Sequence, residues 1–207
     1  MKADMRLRFS KTGRARFMSH LELLEAFRRC FYRCALPLRF SQGFNPHPLL
    51  SAAFPLSVGY AGLDEILDFG VEQYAEPSAL PGLLTSRLPE GIAVHRAYIP
   101  DTPTSSARWG VYEIFVATTL PPQDFLALFG SPLLIETRSK KTARQINALP
   151  LVRAYDCESA EGGLLCRLEL SVREPALNPM YIMRALDSRA VCAVTRRGFL
   201  REDGRPC

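Results

Sequence analysis

The sequence predicts an α+β protein built from two ferredoxin-like lobes with mainly antiparallel sheets, residues 1–100 and residues 101–207. In the first half, segments of period two and segments of helical period follow one another in the order β-α-β-β-α-β. The second half broadly repeats this order. A stretch rich in Pro, Ser and Thr, PDTPTSSAR at residues 100–108, separates the halves as a linker does.

The first strand and the first helix are the most clearly marked elements. In MRLRF, the apolar residues Met5, Leu7 and Phe9 alternate with arginines, as on a half-buried strand. The next segment, SHLELLEAFRRCFYRCALP, has a helical period and begins with Ser19 and Glu22 at the spacing of a capping box. A proline ends this helix. Its predicted apolar stripe consists of Leu24, Phe27, Phe31 and Cys34.

The remaining elements follow from period and turn residues. Extended segments are predicted at LLSAAFPLSVG, DEILDFGVEQ, GIAVHRAYI, WGVYEIFVATTL, SPLLIETRS and AVCAVTRRGF. A hairpin is predicted in LVRAYDCESAEGGLLCRLELSVRE, with its turn around residues 161–163. Short helices are predicted at PSALPGLLTSRL, PPQDFLALFG and NPMYIMRALD, the last with Asn178 as its cap.

Positive charge is concentrated at the amino terminus. The formal net charge is +5, but residues 1–39 contain ten Lys or Arg against three acids, and residues 40–73 contain four acids and no Lys or Arg. This asymmetry predicts a basic lobe that faces a polyanion, most naturally RNA, with no DNA expected. A solvated basic surface without a partner is the alternative that charge alone leaves open.

The composition favours a folded cytoplasmic protein. No apolar run approaches the roughly 20 residues that cross a membrane, and MKADMRLRF lacks the apolar stretch of a secretory signal. The six cysteines are scattered, unlike the framework of a small secreted domain. We therefore expect a cytoplasmic location, reduced thiols and no membrane partner.

Metal and cofactor motifs are missing from the sequence. Cys30 and Cys34 are spaced C-x3-C within the strongest predicted helix, but a radical-SAM cluster loop needs a third cysteine where Pro37 stands. The two thiols are therefore interpreted as buried free cysteines. The three histidines are too far apart for a local metal site. Phosphate-cradling loops and the nucleophile-elbow motif are also missing, so we expect no metal and no cofactor on this chain.

Phosphate contacts are predicted in the basic turn KTGRARF and on the helix that follows it. A helix N-terminus binds anions, and His20 follows the predicted cap directly. The alternative is a turn that is exposed without binding anything. The candidate phosphate-binding residues are Lys11, Arg14, Arg16, Ser19, His20, Arg28, Arg29 and Arg33.

The stretch SQGFNPH is predicted to form a rigid recognition loop. Prolines fix φ on both sides of His47, and Gly43 permits a positive φ. Such a loop would let Phe44 stack on a base while Asn45 or His47 reads an edge. The alternative, in which Phe44 fills the core, has equal support from these residues. The candidate loop residues are Ser41, Gln42, Gly43, Phe44, Asn45, Pro46 and His47.

Several spaced motifs resemble a radical-SAM-linked protein family of unknown function, found fused to, or encoded beside, cobalamin-binding-type radical-SAM proteins. The motifs are K-x-G from Lys11, RF-x-SHLE from Arg16, LP-x-x-x-SQGFNPHP from Leu36, PL-x-VG from Pro55 and DE-x-x-D from Asp64. The likeness is strong over the first third and fades in the second half. Glu22 stands where Asp is frequent in that family, and Cys30 and Cys34 stand where small residues are expected.

The resemblance implies a radical-SAM protein as partner and RNA modification or processing as the process served. An iron–sulfur cluster and S-adenosylmethionine, with cobalamin as a further candidate, are then expected on the partner. The leading hypothesis is an accessory subunit that binds RNA, with tRNA the favoured class, and has no activity alone. A second is an enzyme or half-enzyme with His20 and His47 as acid–base groups and Asp64, Glu65 or Asp68 as orienting carboxylates. A third is a protein-only adaptor that stabilises the radical-SAM chain.

Overall fold

The computed structural model describes residues 3–73, 76–130, 132–138, 143–189 and 191–207. The chain forms two compact units, Met1–Ser105 and Ser106–Cys207. Each unit contains mainly antiparallel strands and few helices, which confirms the mixed α+β class. None of the helices in the described ranges is long and apolar enough to cross a membrane.

The first unit places its helices against one face of a small sheet. The strands are ordered β4-β1-β3-β2, and the pairings β1–β3, β1–β4 and β2–β3 are antiparallel. Its elements are β1 (Ala3–Lys11), α1 (His20–Arg33), β2 (Leu50–Ala52), β3 (Ala61–Val71), α2 (Leu80–Thr85) and β4 (Ile92–Tyr98), with 3-10 turns at Gly13–Phe17 and Pro77–Ala79.

The ferredoxin-like prediction is not confirmed for this unit. The predicted succession β-α-β-β-α-β is present. In a split βαβ arrangement, the two parallel strands of each βαβ unit are separated by a third strand that is antiparallel to both. The strand order β4-β1-β3-β2 and its three antiparallel pairings are compatible with that arrangement. The antiparallel direction agrees with the mainly antiparallel sheets that the sequence predicts, and the finer ferredoxin-like assignment stays a prediction.

Alternation along β1 decides what faces the core. Met5, Leu7 and Phe9 are 0–1% exposed beneath α1, as predicted. On the helix, Phe27 and Phe31 are fully buried as predicted, but Leu23 and Cys30 complete the buried stripe. The predicted Leu24 and Cys34 only pack against its margin. The sequence marks an apolar face, but its centre depends on how the helix is rotated against the sheet.

A chain of aromatic contacts joins the sheet to α1. The ring centroids of Phe9 and Phe27 are 5.0 Å apart, those of Phe27 and Phe31 are 5.9 Å apart, and those of Phe31 and Phe69 are 4.8 Å apart. Edge-on and tilted pairs of this kind add to the free energy of burial. They fix α1 over β1 and β3, which carry the polar residues described below.

The second unit is built around the sheet order β10-β5-β9-β8, with antiparallel pairing in each ladder. Strands β6 and β7 form a separate two-stranded ladder. Its elements are β5 (Ala107–Ala117), α3 (Pro122–Ala127), β6 (Leu134–Arg138), β7 (Ala143–Asn147), β8 (Val152–Ala160), β9 (Gly163–Ser171), α4 (Pro179–Leu186) and β10 (Val191–Arg201).

The strongest local signals of the second half are confirmed. Ala160 pairs with Gly163 across the predicted hairpin turn, and the Asn178 side chain accepts a hydrogen bond of 2.9 Å from the Met180 amide. Strand β7 was not predicted. Apart from the separate β6–β7 ladder, the element order β5-α3-β8-β9-α4-β10 and the sheet order β10-β5-β9-β8 correspond to those of the first unit. Of the predicted strand segments, Ser131, Ser139 and Ala190 lie outside the described residues.

Candidate binding site

Two arginine–aspartate pairs line the face of the first sheet opposite α1. Strand alternation places Arg6 and Arg8 on this face of β1, while Asp64 and Asp68 share the corresponding face of β3. Arg6 Nε donates to Asp68 Oδ1 at 2.6 Å, and Arg6 Nη2 donates to Asp68 Oδ2 at 2.9 Å. Arg8 Nε donates to Asp64 Oδ1 at 2.7 Å, and its Nη2 donates to Asp64 Oδ2.

These pairs keep both guanidinium groups charged although they are buried. The hydrogen bond to Asp68, together with the charge of Asp68, raises the pKa of Arg6. Burial alone would lower the pKa of Arg8, but the hydrogen bond and charge of Asp64 outweigh it, so that pKa is raised as well. Asp64 and Asp68, which were candidate orienting groups for a histidine, therefore orient arginines.

A cleft of about 830 Å3 opens beside the Arg6–Asp68 pair. Its lining comes from β1, β2 and β3, from His47 and Pro48 at the end of the predicted recognition loop, and from residues 99–103 after β4. Thr102 closes one side, because its carbonyl accepts a hydrogen bond of 3.0 Å from Arg6 Nη1. The size is typical of small-ligand sites.

The loop from Ser41 to His47 is tied at its base. The Ser41 amide donates to the His47 carbonyl at 2.8 Å, and the His47 amide donates to Ser41 Oγ at 3.1 Å. Ser41 Oγ also lies 3.0 Å from His47 Nδ1. Gly43 has a φ of +127°, which favours glycine. The loop is thus closed by its own hydrogen bonds, as a rigid recognition loop requires.

The tip of this loop points away from the core. Phe44 has a relative exposure of 105%, so it does not fill the core, which settles the alternative that the sequence left open. Gln42, Asn45, Pro46 and His47 are also exposed. A fully exposed phenylalanine on a closed loop presents an apolar ring whose binding does not require the loop backbone to be ordered.

The 3-10 turn Gly13–Phe17 carries two exposed cations among the predicted phosphate ligands. Arg14 and Arg16 are exposed, and neither forms an ion pair within the described residues. The Arg16 guanidinium lies 4.8 Å from the ring centroid of Phe17, itself 58% exposed. The turn therefore presents two cations beside one aromatic ring.

Lys11 is an interior residue. It shares the core face of β1 with Phe9, is 2% exposed, and donates from Nζ to the Met18 carbonyl at 3.1 Å. Glu65, 4% exposed, is the direct partner of Phe9 on β3. A small cavity of about 10 Å3 is lined by Lys11, Glu65 and His20 among other residues, which is space for one water at most.

The remaining predicted phosphate ligands have partners within the fold. Arg28 and Arg29 both pair with Glu25, and Arg33 donates to the Arg87 carbonyl at 2.6 Å. Ser19 is committed to the capping box, which is confirmed: its hydroxyl accepts from the Glu22 amide, and Glu22 Oε2 accepts from the Ser19 amide at 2.8 Å. That bond lowers the pKa of Glu22.

The structure divides the proposed catalytic residues between two places. His20 and Glu65 line the small cavity, while His47 and Asp68 line the large cleft. As far as the described residues show, the two linings do not overlap.

Cys30 is buried and its Sγ lies 3.5 Å from the Leu84 carbonyl, while Cys34 is half-buried. Within the described residues, no group of three or more His, Cys, Asp or Glu side chains could hold a metal ion.

Sequence reasoning missed Arg6 and the segment after β4. Two signals in the sequence point to Arg6. It alternates with the apolar residues Met5 and Leu7, and Asp64 and Asp68, four residues apart on another predicted strand, could face the arginines as counter-charges. The same alternation, continued from Phe9, places Lys11 inside. The part of the cleft formed by residues 99–103 has no sequence signal, since it depends on where the chain goes after β4 ends.

Comparison with known proteins identifies a family but no activity. The chain matches no curated protein. A crystal structure of an unknown protein from Galdieria sulphuraria is 10% identical in sequence to this chain. The match covers 95% of this chain and 99% of that protein, and its TM-score of 0.28 is too low to indicate a shared fold. The model of the family described as "Uncharacterized protein conserved in bacteria (DUF2344)" matches residues 5–179. A radical-SAM partner, which that description does not mention, stays a prediction. With most of its length matched, the chain belongs to the DUF2344 family.

Proposed function

We propose that this protein is a non-catalytic accessory subunit that binds RNA, with tRNA as the favoured class, and presents it to a separate radical-SAM enzyme. The observation that carries the proposal is that this unit exposes both cations and aromatic rings: Arg16 lies against Phe17 with Arg14 on the same turn, and Phe44 is exposed on a closed loop. Cations bind phosphates and aromatic rings stack on unpaired bases, so the two together suit single-stranded or looped RNA.

The contacts favour the 3-10 turn as the proposed phosphate site. Lys11 is buried, and Arg28 and Arg29 are partly neutralised by Glu25. Arg14 and Arg16 have no such acid among the described residues, so RNA phosphates would not have to displace an internal partner. The Arg16–Phe17 contact also supports a stacked arrangement in which a base lies against either group.

The loop supports base recognition because its backbone loses little conformational entropy when a base binds. Its base is closed by hydrogen bonds between Ser41 and His47, so binding need not order it. Phe44 contributes an aromatic face, and Asn45 and His47 contribute polar groups on the exposed side of the same loop. Stacking of one base on one aromatic ring is worth about 1–3 kcal/mol.

The test is fluorescence anisotropy of the full chain with labelled tRNA over a range of salt concentrations. The double variant Arg14→Glu/Arg16→Glu is compared with Arg184→Glu/Arg189→Glu, which makes the same charge change at exposed positions of the second unit. We expect the first variant to bind at least tenfold more weakly, with a salt slope smaller by about 1.4–1.8, the value for two lost phosphate contacts. Equal binding by wild type and both variants would overturn the assignment of Arg14 and Arg16 as phosphate ligands, and no binding of tRNA by the wild type would overturn the RNA-binding proposal.

The partner is tested by pull-down of the tagged protein from its own cells, with and without ribonuclease, followed by mass spectrometry. A radical-SAM protein recovered together with enriched RNA supports the accessory role. If the radical-SAM protein is recovered without RNA, the protein is a protein-only adaptor. The exposed apolar residues Phe17, Leu21 and Val58, at 58%, 75% and 57% exposure, favour that second candidate.

An enzymatic role is the third candidate, and one observation favours it: His47 and Asp68 line the same cleft. In that case His47 would act as the acid–base group, and His47→Ala would abolish turnover in the reconstituted system while leaving RNA binding intact. Under the accessory proposal, His47→Ala instead weakens RNA binding, and the amount of product falls in proportion to the lost binding.

A further inference from the structure

Two thiols face each other across the β8–β9 hairpin of the second unit. Cys157 on β8 and Cys166 on β9 are direct partners in the antiparallel register, and their Sγ atoms are 3.2 Å apart. Both are free thiols in the structure. We propose that the pair is a redox-sensitive lock, in which a peroxide joins the two sulfurs in a cross-strand disulfide that fixes β8 to β9. This inference does not rest on the RNA-binding proposal, because it concerns residues of the other unit.

The register of the hairpin already meets the distance that a disulfide needs. Directly opposite residues of antiparallel strands have Cα atoms about 4.5–5.5 Å apart, within the range of about 4.4–6.8 Å that disulfides span. Their side chains also point to the same face of the sheet. The sulfurs must approach from 3.2 Å to about 2.0 Å, which rotation of the two side chains can supply. Bond formation therefore requires no change of strand pairing.

The other cysteines lack this geometry within the described residues. Cys192 is the register partner of Val116, and Cys34 caps the helix that contains Cys30. Cys34, Cys192 and Cys207 are half-buried and thus more accessible than Cys157, which is 7% exposed. Selective oxidation of the pair would therefore depend on the proximity of its two sulfurs and not on their exposure.

Strand β8 is held on one side only. It ends the sheet order of the second unit, so within the described residues it pairs with β9 alone. Of its nine residues, Cys157 is the one that is buried. A strand with one neighbour and little buried apolar surface opens locally at a lower free-energy cost than a central strand does. Opening exposes Cys157 to an oxidant, and closing returns it to Cys166.

The electrostatics assign different roles to the two sulfurs. Burial raises the pKa of both thiols, and the contact between them opposes this shift at Cys157 but adds to it at Cys166. Cys157 is also the more exposed of the two. Since the thiolate is the nucleophile, Cys157 is the sulfur that attacks the oxidant and Cys166 the one that resolves the product. Because burial keeps both thiols protonated in the closed hairpin, the reaction proceeds through openings of β8.

The oxidation balances with hydrogen peroxide as the oxidant. The Cys157 thiolate attacks one peroxide oxygen, the O–O bond breaks, and the departing hydroxide takes up the thiol proton as water. Cys166 then attacks the sulfur of the resulting sulfenic acid, so that the S–S bond forms, the S–O bond breaks and a second water leaves. The two thiols together lose two protons and two electrons, which one peroxide receives. Exchange with two low-molecular-weight thiols reverses the step.

The lock acts on more than one strand. Tyr155, two residues before Cys157 on the same face of β8, stacks on Phe129 with ring centroids 3.9 Å apart. Phe129 follows α3, and α3 packs against β8. A disulfide removes open conformations of the hairpin, so it also favours the closed arrangement of this stacked pair.

The test treats the full chain with hydrogen peroxide at neutral pH, alkylates the remaining thiols and digests the protein with trypsin. Both cysteines lie in one tryptic peptide, residues 154–167, which has no internal Lys or Arg. We expect this peptide to lose two hydrogens and to resist alkylation. Further cleavage after Glu158 or Glu161, between the two cysteines, should leave two pieces joined by the disulfide. Dithiothreitol should restore both thiols.

The half-buried cysteines serve as internal references in this experiment. If Cys157 and Cys166 are alkylated as fully as in untreated protein, at a peroxide concentration that oxidises Cys34, Cys192 or Cys207, the assignment is overturned. Disulfides that link Cys157 or Cys166 to another cysteine in place of each other overturn it as well.

Two serine variants test the effect on β8. Cys157→Ser removes one sulfur of the pair, whereas Cys192→Ser removes a half-buried thiol outside it. On oxidation of the wild type and of Cys192→Ser, hydrogen exchange of the β8 amides should slow by at least about tenfold, because the disulfide restricts the open state. Exchange in Cys157→Ser should not respond to peroxide. A disulfide that forms in the wild type without slowing this exchange overturns the lock.

Discussion

Arg6 and Asp68 face each other across β1 and β3 and are joined by two parallel hydrogen bonds of 2.6 and 2.9 Å. The pair connects the two inner strands of the first unit and forms part of the cleft. The Arg6 side chain is 6% exposed and that of Asp68 is 32% exposed. An ion pair with one partner this deeply buried stabilises the fold mainly by preventing an unpaired interior charge.

Replacement of Asp68 by Asn should therefore destabilise the protein. The change leaves the Arg6 guanidinium buried without a counter-charge, and we expect the free energy of unfolding in urea to fall by about 3 kcal/mol. Glu158→Gln is the control, because Glu158 pairs with Arg167 at the surface, with both side chains half exposed. That change should cost at most about 0.5 kcal/mol. Equal losses in the two variants would contradict the structural role of the Arg6–Asp68 pair.

Phe44 and Phe27 should behave in opposite ways when replaced by alanine. Phe44 is fully exposed, so Phe44→Ala should change the free energy of unfolding by less than about 0.5 kcal/mol and weaken tRNA binding. Phe27 is fully buried between Phe9 and Phe31, so Phe27→Ala should cost about 3–5 kcal/mol. Urea unfolding measures both. A large loss of stability in Phe44→Ala would mean that the ring packs against the protein.

The closure of the recognition loop depends on Ser41. Ser41→Ala removes the oxygen that accepts the His47 amide, and a hydrogen bond of this kind contributes about 1 kcal/mol. We expect hydrogen exchange of the His47 amide to become about fivefold faster, measured by NMR. Gln42→Ala, at an exposed position of the same loop, should leave that rate unchanged. If both variants exchange at the wild-type rate, the loop is not held by Ser41.

Stability at alkaline pH should depend on Cys30. Burial, followed by the neighbouring Cys34, raises the pKa of the Cys30 thiol from 9.0 to about 12. The unfolded chain therefore loses this proton first, and the free energy of unfolding falls between pH 9 and pH 12, by at most about 1.4 kcal/mol per pH unit. Below pH 9 the thiol is neutral in both states and contributes no pH dependence.

Urea unfolding at pH 8, 9.5 and 10.5 tests this contribution. Cys30→Ala should lose some stability at pH 8 through packing but decline less steeply above pH 9 than the wild type. Leu24→Ala, which removes packing at the margin of the same core without removing a thiol, should keep the wild-type slope. Identical slopes in wild type and Cys30→Ala would show that Cys30 does not titrate differently in the two states.

The sequence by itself determined the local elements of this protein. The alternation of Met5, Leu7 and Phe9, the capping box at Ser19 and the Asn178 cap each depend on neighbours within a few residues, and all three are present. The two loop prolines restrict the backbone locally and Gly43 permits its positive φ, and a rigid loop was predicted from them; the hydrogen bonds that close it came from the structure. Short-range steric restrictions and hydrogen bonds do not depend on the rest of the fold, so the sequence alone predicts the local elements that they determine.

Tertiary structure decided the register of strand pairing, the burial of Lys11 and the composition of the cleft. The antiparallel pairing of β1 with β3 brings Arg6 opposite Asp68, residues separated by 62 positions in the chain. Thr102 reaches Arg6 only because the chain folds back after β4. Phe44 could have filled the core or faced solvent, and the core was completed by Phe9, Phe27 and Phe69 instead. Contacts between distant segments depend on the packing of the whole unit, so the local hydrophobic period of one segment does not predict them.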